Sequence, residues 1–375
     1  MTAIGDRAPR SDLAPMDHGA RIERVRTAVE AAQCQALVVT KPQNIRWLTG
    51  FTGSAGTVVV TGQNLTVITD DRYQAQVHQQ LAASGVAAEV VIDRILEGPV
   101  VDAVAGAGIV GLEANHISWA RAREVGDWLA GSEVVPTLGL IERLRQDKDR
   151  GEIDRLALAA AITDRALARV APTRVPGRTA REVARDLERA MIDLGADGLS
   201  FPIIVAGGPN SAKPHAAPGD RPLVPGDLVV IDSGAAVDGY GSDMTRSFLL
   251  EPIAEADLDL YRAVEAAQAA GVAAVAAGVE QRAVDAACRD SLAERDLAEA
   301  FVHGTGHGIG LEIHEEPFLS TRSTGVLRAN QVVTVEPGVY LADHGGIRIE
   351  DSVVVTEGGC KAITRSPKDH RVPTV

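Results

Sequence analysis

Four carboxylates stand where a buried strand does not tolerate an isolated charge. Val229-Val230-Ile231 runs straight into Asp232, and Asp243 opens the return strand after the turn Asp238-Gly239-Tyr240-Gly241. Val332-Val333-Thr334-Val335 runs into Glu336, and Ile347-Arg348-Ile349 leads to Glu350. A carboxylate in an apolar strand carries a large desolvation penalty unless it is paired or bound to a metal. Taken singly, Asp232 reads as a turn former at a strand end. Four converging acids without cations would repel one another and raise one another's pKa; two divalent cations would offset the four charges. A nitrogen donor lies close by in the chain. His303-Gly-Thr-Gly-His307-Gly-Ile-Gly-Leu-Glu-Ile-His314 packs three histidines into a glycine-rich stretch just before the second acidic strand pair. Glycines there permit close approach of backbone to a ligand or metal. A phosphate loop is the competing reading, but the stretch has no Gly-xxxx-Gly-Lys-Ser/Thr pattern and carries histidine where lysine would be needed. The chemistry expected is that of a metal or catalytic site.

Strand parity adds one more group. Arg348 and Glu350 are two residues apart and share a face, while Ile347 and Ile349 point to the other. Arg348 can steady Glu350 or meet a substrate carbonyl or carboxylate; a pair that only neutralises charge is the plainer alternative.

The elements that must position these groups are legible around them. Over residues 152–170, Ile153, Leu156, Ala160 and Leu167 recur near helical spacing. Thr179-Ala-Arg-Glu182 is a capping box opening a helix with Val183, Leu187, Met191 and Leu194 on one stripe, and Gly195 falls where the helix should end. Strands follow at residues 203–205, 228–232 and 245–250. The pattern then recurs, with helices over 258–276 and 284–292 and a strand pair at 332–336 and 347–355. Two helices and a strand pair, twice over, predict an internally duplicated α+β domain whose two hairpins face each other. Upstream, residues 21–142 alternate short apolar runs with helical patterns, as an α/β domain does. Strands are expected at 36–40, 57–60 and 65–69 and helices at 74–83 and 119–129. The charged run 143–152 is the linker candidate, with a solvated helix face as the alternative reading. The expected domains are a disordered extension over 1–18, an α/β domain over 19–145 and a catalytic domain over 146–375.

Composition narrows the partners. The 375 residues, 45% hydrophobic and 23% charged, suit an ordinary globular protein with room for two domains. A net charge of -14, aromatics at 3% and no Lys/Arg cluster interleaved with aromatics argue against nucleic acid. Cys34, Cys288 and Cys360 form neither a disulfide framework nor a CxxC site, and read as thiols in a reducing compartment. The first 18 residues hold no apolar signal core, and the Ala/Val-rich stretch 269–279 is too short to span a bilayer. A cytoplasmic protein with no membrane partner is expected.

Longer motifs carry a resemblance. Asp232-Ser-Gly, Gly239-Tyr-Gly-Ser-Asp243-Met-Thr-Arg246, His303-Gly-Thr-Gly-His307, His314-Glu, Thr334-Val-Glu336-Pro-Gly-Val-Tyr340 and Gly346-Ile-Arg-Ile-Glu350-Asp351 closely resemble the metallopeptidase family of Xaa-Pro aminopeptidases, prolidases and methionine aminopeptidases. All five ligand types occur in the family's order, and the resemblance runs from about residue 149 to the end. Phe51-Thr-Gly-Ser-Ala-Gly56 and Thr69-Asp-Asp-Arg-Tyr73 look like the Xaa-Pro branch, which has an N-terminal domain that methionine aminopeptidases lack. One departure is Asn330-Gln331 where relatives often have Gly-Met; asparagine tolerates the left-handed conformation.

The resemblance implies a creatinase-like α/β N-terminal domain and an α+β pita-bread catalytic domain. It implies two divalent metal ions, with Mn²⁺ favoured by the oxygen-rich, thiol-free donors and Co²⁺ or Zn²⁺ as replacements. Asp232 resembles the bidentate ligand of one ion and His307 the histidine ligand of the other; Asp243 and Glu350 match the bridging carboxylates and Glu336 the remaining ligand. A bridging hydroxide would attack the carbonyl before proline while Glu336 shuttles the proton. His215, from Lys213-Pro-His215, and His314 match histidines that hydrogen-bond substrate and oxyanion. His303, Tyr340 and Arg348 match residues on the proline side. The substrates implied are short proline-containing peptides, and relatives often form homodimers. The N-terminal motifs favour an Xaa-Pro aminopeptidase over an Xaa-Pro dipeptidase. A creatinase-type amidinohydrolase or a non-catalytic peptide-binding relative would both show an eroded ligand set.

Overall fold

The structure is a computed structural model, and it describes residues 10–171 and 177–371. The chain divides into two compact units, residues 16–145 and residues 146–375 together with 1–15. Of the expected N-terminal extension, residues 1–9 lie outside the described residues. Residues 10–15 are tied to the larger unit: Arg10 pairs with Asp197 at 2.7 Å, and Arg155 donates to the Ala14 carbonyl at 2.9 Å.

In the smaller unit, helix α1 (His18–Ala31) leads into strand β1 (Ala36–Val39), α2 (Pro42–Thr49), β2 (Thr57–Thr61) and β3 (Leu65–Thr69). Next come α3 (Gln74–Ser84), β4 (Glu89–Ile92), α4 (Glu97–Ala103), β5 (Ile109–Glu113), α5 (Trp119–Trp128), β6 (Glu133–Thr137) and α6 (Leu140–Arg145). The sheet order is β4-β3-β2-β1-β5-β6, with β2 antiparallel to both neighbours and the other pairs parallel. Its central strands β1, β2 and β3 are buried almost throughout because both faces are covered, which is why they read as short β-branched apolar runs. The two stretches that look like the Xaa-Pro branch meet here. Ser54 Oγ lies 2.6 Å from Tyr73 Oη, and the Phe51 and Tyr73 rings pack edge to face.

The larger unit repeats one plan. Helices α7 (Arg150–Val170) and α8 (Ala180–Asp193) precede β7 (Gly198–Leu199), β8 (Ile204–Gly207), β9 (Leu228–Ser233), β10 (Ala235–Val237), β11 (Tyr240–Gly241) and β12 (Met244–Leu249). Helices α9 (Glu255–Ala274) and α10 (Gln281–Ala293) precede β13 (Gly306–Gly308), β14 (Glu315–Leu319), β15 (Val332–Val335), β16 (Gly338–Leu341), β17 (Gly345–Arg348), β18 (Asp351–Thr356) and β19 (Gly359–Ala362). The apolar stripe of α8, Val183, Leu187 and Met191, packs with Val229, Ile231 and Phe248 in one core. Val264, Val284 and Cys288 pack with Val333, Val335 and Val353 in a second.

Two differences from the sequence reading bear on the site. The strand expected over 347–355 is broken: β17 pairs with β16, whereas β18 pairs with β15 in register Val335↔Asp351. Pro337 has no N–H to continue the ladder, so the chain leaves one sheet for another there. The first half does the same, β9 pairing with β12 while β10 pairs with β11 across Asp238 and Gly239, both at positive φ. The charged run 143–152 is not a solvated segment. Arg145, Gln146, Lys148 and Glu152 are buried, Asp149 and Glu152 form the capping box of α7, and Lys148 Nζ lies 2.7 Å from Glu315 Oε1 with side chains 1% and 8% exposed.

Candidate metal centre

Three of the four acids sit at breaks between ladders, and the fourth sits within a strand near its end. Asp232 lies near the end of β9, opposite Thr245 and Ile204. Asp243 occupies the gap between β11 and β12, Glu336 follows β15, and Glu350 precedes β18. The backbone there is satisfied from other elements: Glu350 N–H donates to the Thr245 carbonyl and Glu336 N–H to that of Thr305. His307 is carried by the short strand β13. Its flanking glycines are required by strand packing, and Gly306 also lines the cavity beside the acids. A Cβ on Gly306 would collide with the Thr334 carbonyl, and one on Gly308 with the Glu316 carbonyl.

Asp243, His307 and Glu350 each offer a ligand atom within 4.8 Å of the others, and all three are buried. His307 Nε2 lies 3.3 Å from Glu336 Oε1 and 3.7 Å from Asp243 Oδ2. Asp232 is engaged by Arg348, whose Nη2 donates to Oδ2 at 2.7 Å. All five expected ligands line one cavity of about 580 Å³, formed wholly by the larger unit.

Burial and then mutual repulsion push Asp243 and Glu350 well above the usual carboxylate range. Burial raises Asp232 too, against the pull of Arg348. Glu336 goes the other way: burial opposes its charge, but the hydrogen bond and charge of His307 outweigh it and hold its pKa low. Asp232 Oδ1 and Glu350 Oε1 are buried acceptors with no hydrogen-bond partner. Orphaned acceptors among repelling acids are unfavourable by themselves, and an oxygen-rich set with one imidazole suits hard divalent cations. The residues fit that group.

The other expected site residues border the same cavity or support it. His215 and His314 are exposed at its wall, and the His314 ring meets His307 edge to face at 4.4 Å. Burial and the neighbouring His307 lower the His314 pKa. Arg348 lies deeper: Nε donates to Thr245 Oγ1 at 3.0 Å, and Nη1 donates to the Pro214 carbonyl at 3.1 Å and to Tyr340 Oη at 2.9 Å. With Asp232, that engages four of its five N–H groups. Parity places Arg348 beside Glu350, and the link between them runs through Thr245. Both ring nitrogens of His303 are also engaged. Nδ1–H donates to the Gly304 carbonyl at 2.8 Å, burial keeps the ring neutral, and Nε2 therefore accepts from Tyr340 Oη at 2.9 Å. As placed, His303 orients Tyr340. The sequence reading missed Thr245, Thr334 and the apolar walls Phe201, Ile313 and Phe318. The period-two spacing of Asp243 with Thr245 and of Thr334 with Glu336 was the available signal for the threonines.

A profile of metallopeptidase family M24 matches residues 154–357, more than half of the chain. The chain belongs to metallopeptidase family M24. A profile of the creatinase/prolidase N-terminal domain matches residues 21–146. This M24 peptidase is 37% identical to an uncharacterised peptidase of Bacillus subtilis over 93% of its own length and 99% of the other's. It is 30% identical to the Xaa-Pro dipeptidase of Pyrococcus furiosus over 93% and 99%. Among solved structures it is similar to the Xaa-Pro dipeptidase from Bacillus anthracis, at 37% identity and TM-score 0.91 over 94% and 99% of the chains. It is also similar to the X-Pro aminopeptidase from Thermotoga maritima, at 31% and 0.84 over 92% and 99%. The M24 chain is thus a hydrolase of the Xaa-Pro dipeptidase/aminopeptidase family, with a creatinase-like N-terminal domain, a pita-bread catalytic domain and the divalent metal ions its family implies. Among the described residues no helix is long and apolar enough to cross a membrane.

Proposed function

We propose that this peptidase hydrolyses the bond preceding proline at the N-terminus of short peptides, as an Xaa-Pro aminopeptidase. The observation that carries the reading is the convergence of Asp232, Asp243, His307, Glu336 and Glu350 on one cavity whose remaining walls are largely apolar. These five residues would hold two divalent ions, Mn²⁺ first by donor hardness and Co²⁺ or Zn²⁺ as replacements. Such ions, when bound, acidify water and offset the charge that develops on the attacked carbonyl oxygen.

The chain's own residues supply the rest. Glu336, kept in its carboxylate form, takes a proton from the attacking water as the water oxygen bonds to the carbonyl carbon. It then delivers that proton to the proline nitrogen as the C–N bond breaks. His314 and His215, exposed at the cavity, hydrogen-bond the carbonyl oxygen and the substrate chain. Tyr340 is held by His303 and Arg348, and its motif assigns it to the proline side. Phe201, Pro202, Pro214, Pro218, Ile313 and Phe318 form apolar wall for the side chain and ring. A bond to proline has no N–H, so a site that reads ring shape and the free amine accepts what N–H-reading proteases do not.

Chain-length preference turns on Arg348. It is the one Arg or Lys among the described lining residues, and it keeps a single uncommitted N–H. A dipeptide brings a free carboxylate beside its proline, and no dedicated cation awaits it; a longer peptide needs none. The likeness to the Xaa-Pro dipeptidase from Bacillus anthracis favours the second reading, a dipeptidase. The homodimer and the cytoplasmic setting expected from the sequence belong to the same proposal.

Glu336→Gln should leave the melting temperature intact and lower kcat by about 10²–10⁴-fold on Xaa-Pro-Xaa tripeptides. Near-normal kcat would refute the proton-transfer role. In the same assay the wild type should cleave tripeptides faster than Xaa-Pro dipeptides; the reverse order replaces aminopeptidase with dipeptidase.

A further inference from the structure

Each half of the larger unit places a fully buried threonine two residues along the chain from an acid of the metal centre. Thr245 follows Asp243, Thr334 precedes Glu336, and both are 0% exposed. Neither hydroxyl is spare. Arg348 Nε donates to Thr245 Oγ1 at 3.0 Å, and Thr245 Oγ1 lies 2.7 Å from Glu350 Oε2. A guanidinium only donates, an ionised carboxylate only accepts, and a hydroxyl has one proton. With Glu350 ionised, as a metal ligand must be, the direction runs from guanidinium to hydroxyl to Glu350. Thr334 repeats the arrangement. Its Oγ1 accepts from the His307 backbone N–H at 3.1 Å and donates to Glu336 Oε1 at 3.2 Å.

We propose that Thr245 and Thr334 are paired positioning residues, each committing its single proton to one oxygen of Glu350 or Glu336 and so fixing the angle at which that carboxylate is turned toward the metal centre. The proposal rests on the reading of those acids as metal ligands. Glu350 Oε2 is held by Thr245, leaving buried Oε1 as the orphaned acceptor. On Glu336 the contacts of Thr334 and His307 both fall on Oε1, which leaves Oε2 free of both. Threonine suits the task because its branched Cβ restricts χ1 and holds the hydroxyl on one bearing. In both relays the proton handed to the carboxylate is polarised by a donor behind it, a backbone amide in one half and a guanidinium in the other. The two halves thus reach the same local solution with different donors.

The test compares wild type with Thr245→Val, Thr245→Ser, Thr334→Val and Thr334→Ser in the full-length protein. Three quantities are read: Mn²⁺ affinity by chelator competition, melting temperature, and kcat and KM on a proline tripeptide. Valine keeps the shape and removes the donor. Thr245→Val should weaken Mn²⁺ binding by about 10–100-fold, the usual effect of losing a group that orients a ligand. Thr334→Val should lower kcat by a similar factor with KM little changed, and each serine variant should recover most of the loss. Valine variants that bind Mn²⁺ and turn over like wild type, with only the melting temperature altered, would overturn the proposal. A wild type that takes up no Mn²⁺ would instead sink the metal-centre reading, and this proposal with it. If a valine variant fails to fold, alanine against serine at the same position isolates the hydroxyl; equal Mn²⁺ affinity and kcat in the two would overturn the proposal equally.

Discussion

Between Asp232 and Tyr340 the Arg348 guanidinium has little freedom left, and the acids around it are held under mutual repulsion. Residue identities along the strands made most of this visible in the sequence. An acid ending a Val-Val-Ile run has no apolar explanation, and four acids carried on two strand pairs pointed to cations. The Thr245 relay was less visible, because a threonine in a strand is unremarkable until an acid is known to lie beside it. His303 was placed by its motif on the proline side; only its neighbours Gly304 and Tyr340 show that both its nitrogens are taken. The clustering also has a stability consequence. Replacing one repelling acid should stabilise the metal-free protein, even as it damages the site. Asp243→Asn is expected to raise the melting temperature in chelator, by about 2–4 °C for each kcal/mol of repulsion relieved, and to reduce the further rise on adding Mn²⁺. A lower melting temperature in chelator would contradict the charge balance described.

Helices and strands were legible where periodicity is strong. The capping box Thr179/Glu182 and the stripe on α8 follow from spacing alone, and both are present. The break between β17 and β18 was not, since 347–355 is uniformly β-forming; what divides it is Pro337 on the facing chain, a tertiary effect. The charged run 143–152 misled because charge density signals solvent unless partners are known. Lys148 and Glu315 are far apart in sequence, so nothing local announces their pairing. A second buried network anchors β18. Asp351 accepts from Arg246 Nη2 at 2.8 Å, Lys368 Nζ at 2.6 Å and Gln268 Nε2 at 3.2 Å, joining β12, β18 and α9. Burial resists its charge, but Arg246 and Lys368 prevail and hold its pKa below the usual value. A depressed folded pKa contributes stability above the unfolded value and loses it as pH falls through the folded one. Asp351→Asn should therefore cost about 3–5 kcal/mol near pH 7.5, as breaking a buried pair does. The gap to wild type should narrow on the acid side, below the ordinary aspartate range. Urea melts across pH check this, and a gap that widens toward acid would refute it.

At the scale of the molecule, the recurrence of two helices and a strand pair announced a duplicated unit, and both half-structures carry their acids at or beside the points where one ladder gives way to another. That placement explains why the ligands are scattered over more than a hundred residues of chain and still converge: each half contributes one hairpin with two acids, and His307 enters from β13. The net charge of -14 sets the protein apart from polyanion binders and fits a cation-dependent site. The most direct measurement is a crystal grown with Mn²⁺ and examined at the manganese absorption edge. The account predicts two anomalous peaks per chain, both among Asp232, Asp243, His307, Glu336 and Glu350. Peaks elsewhere, or none at saturating Mn²⁺, would contradict it.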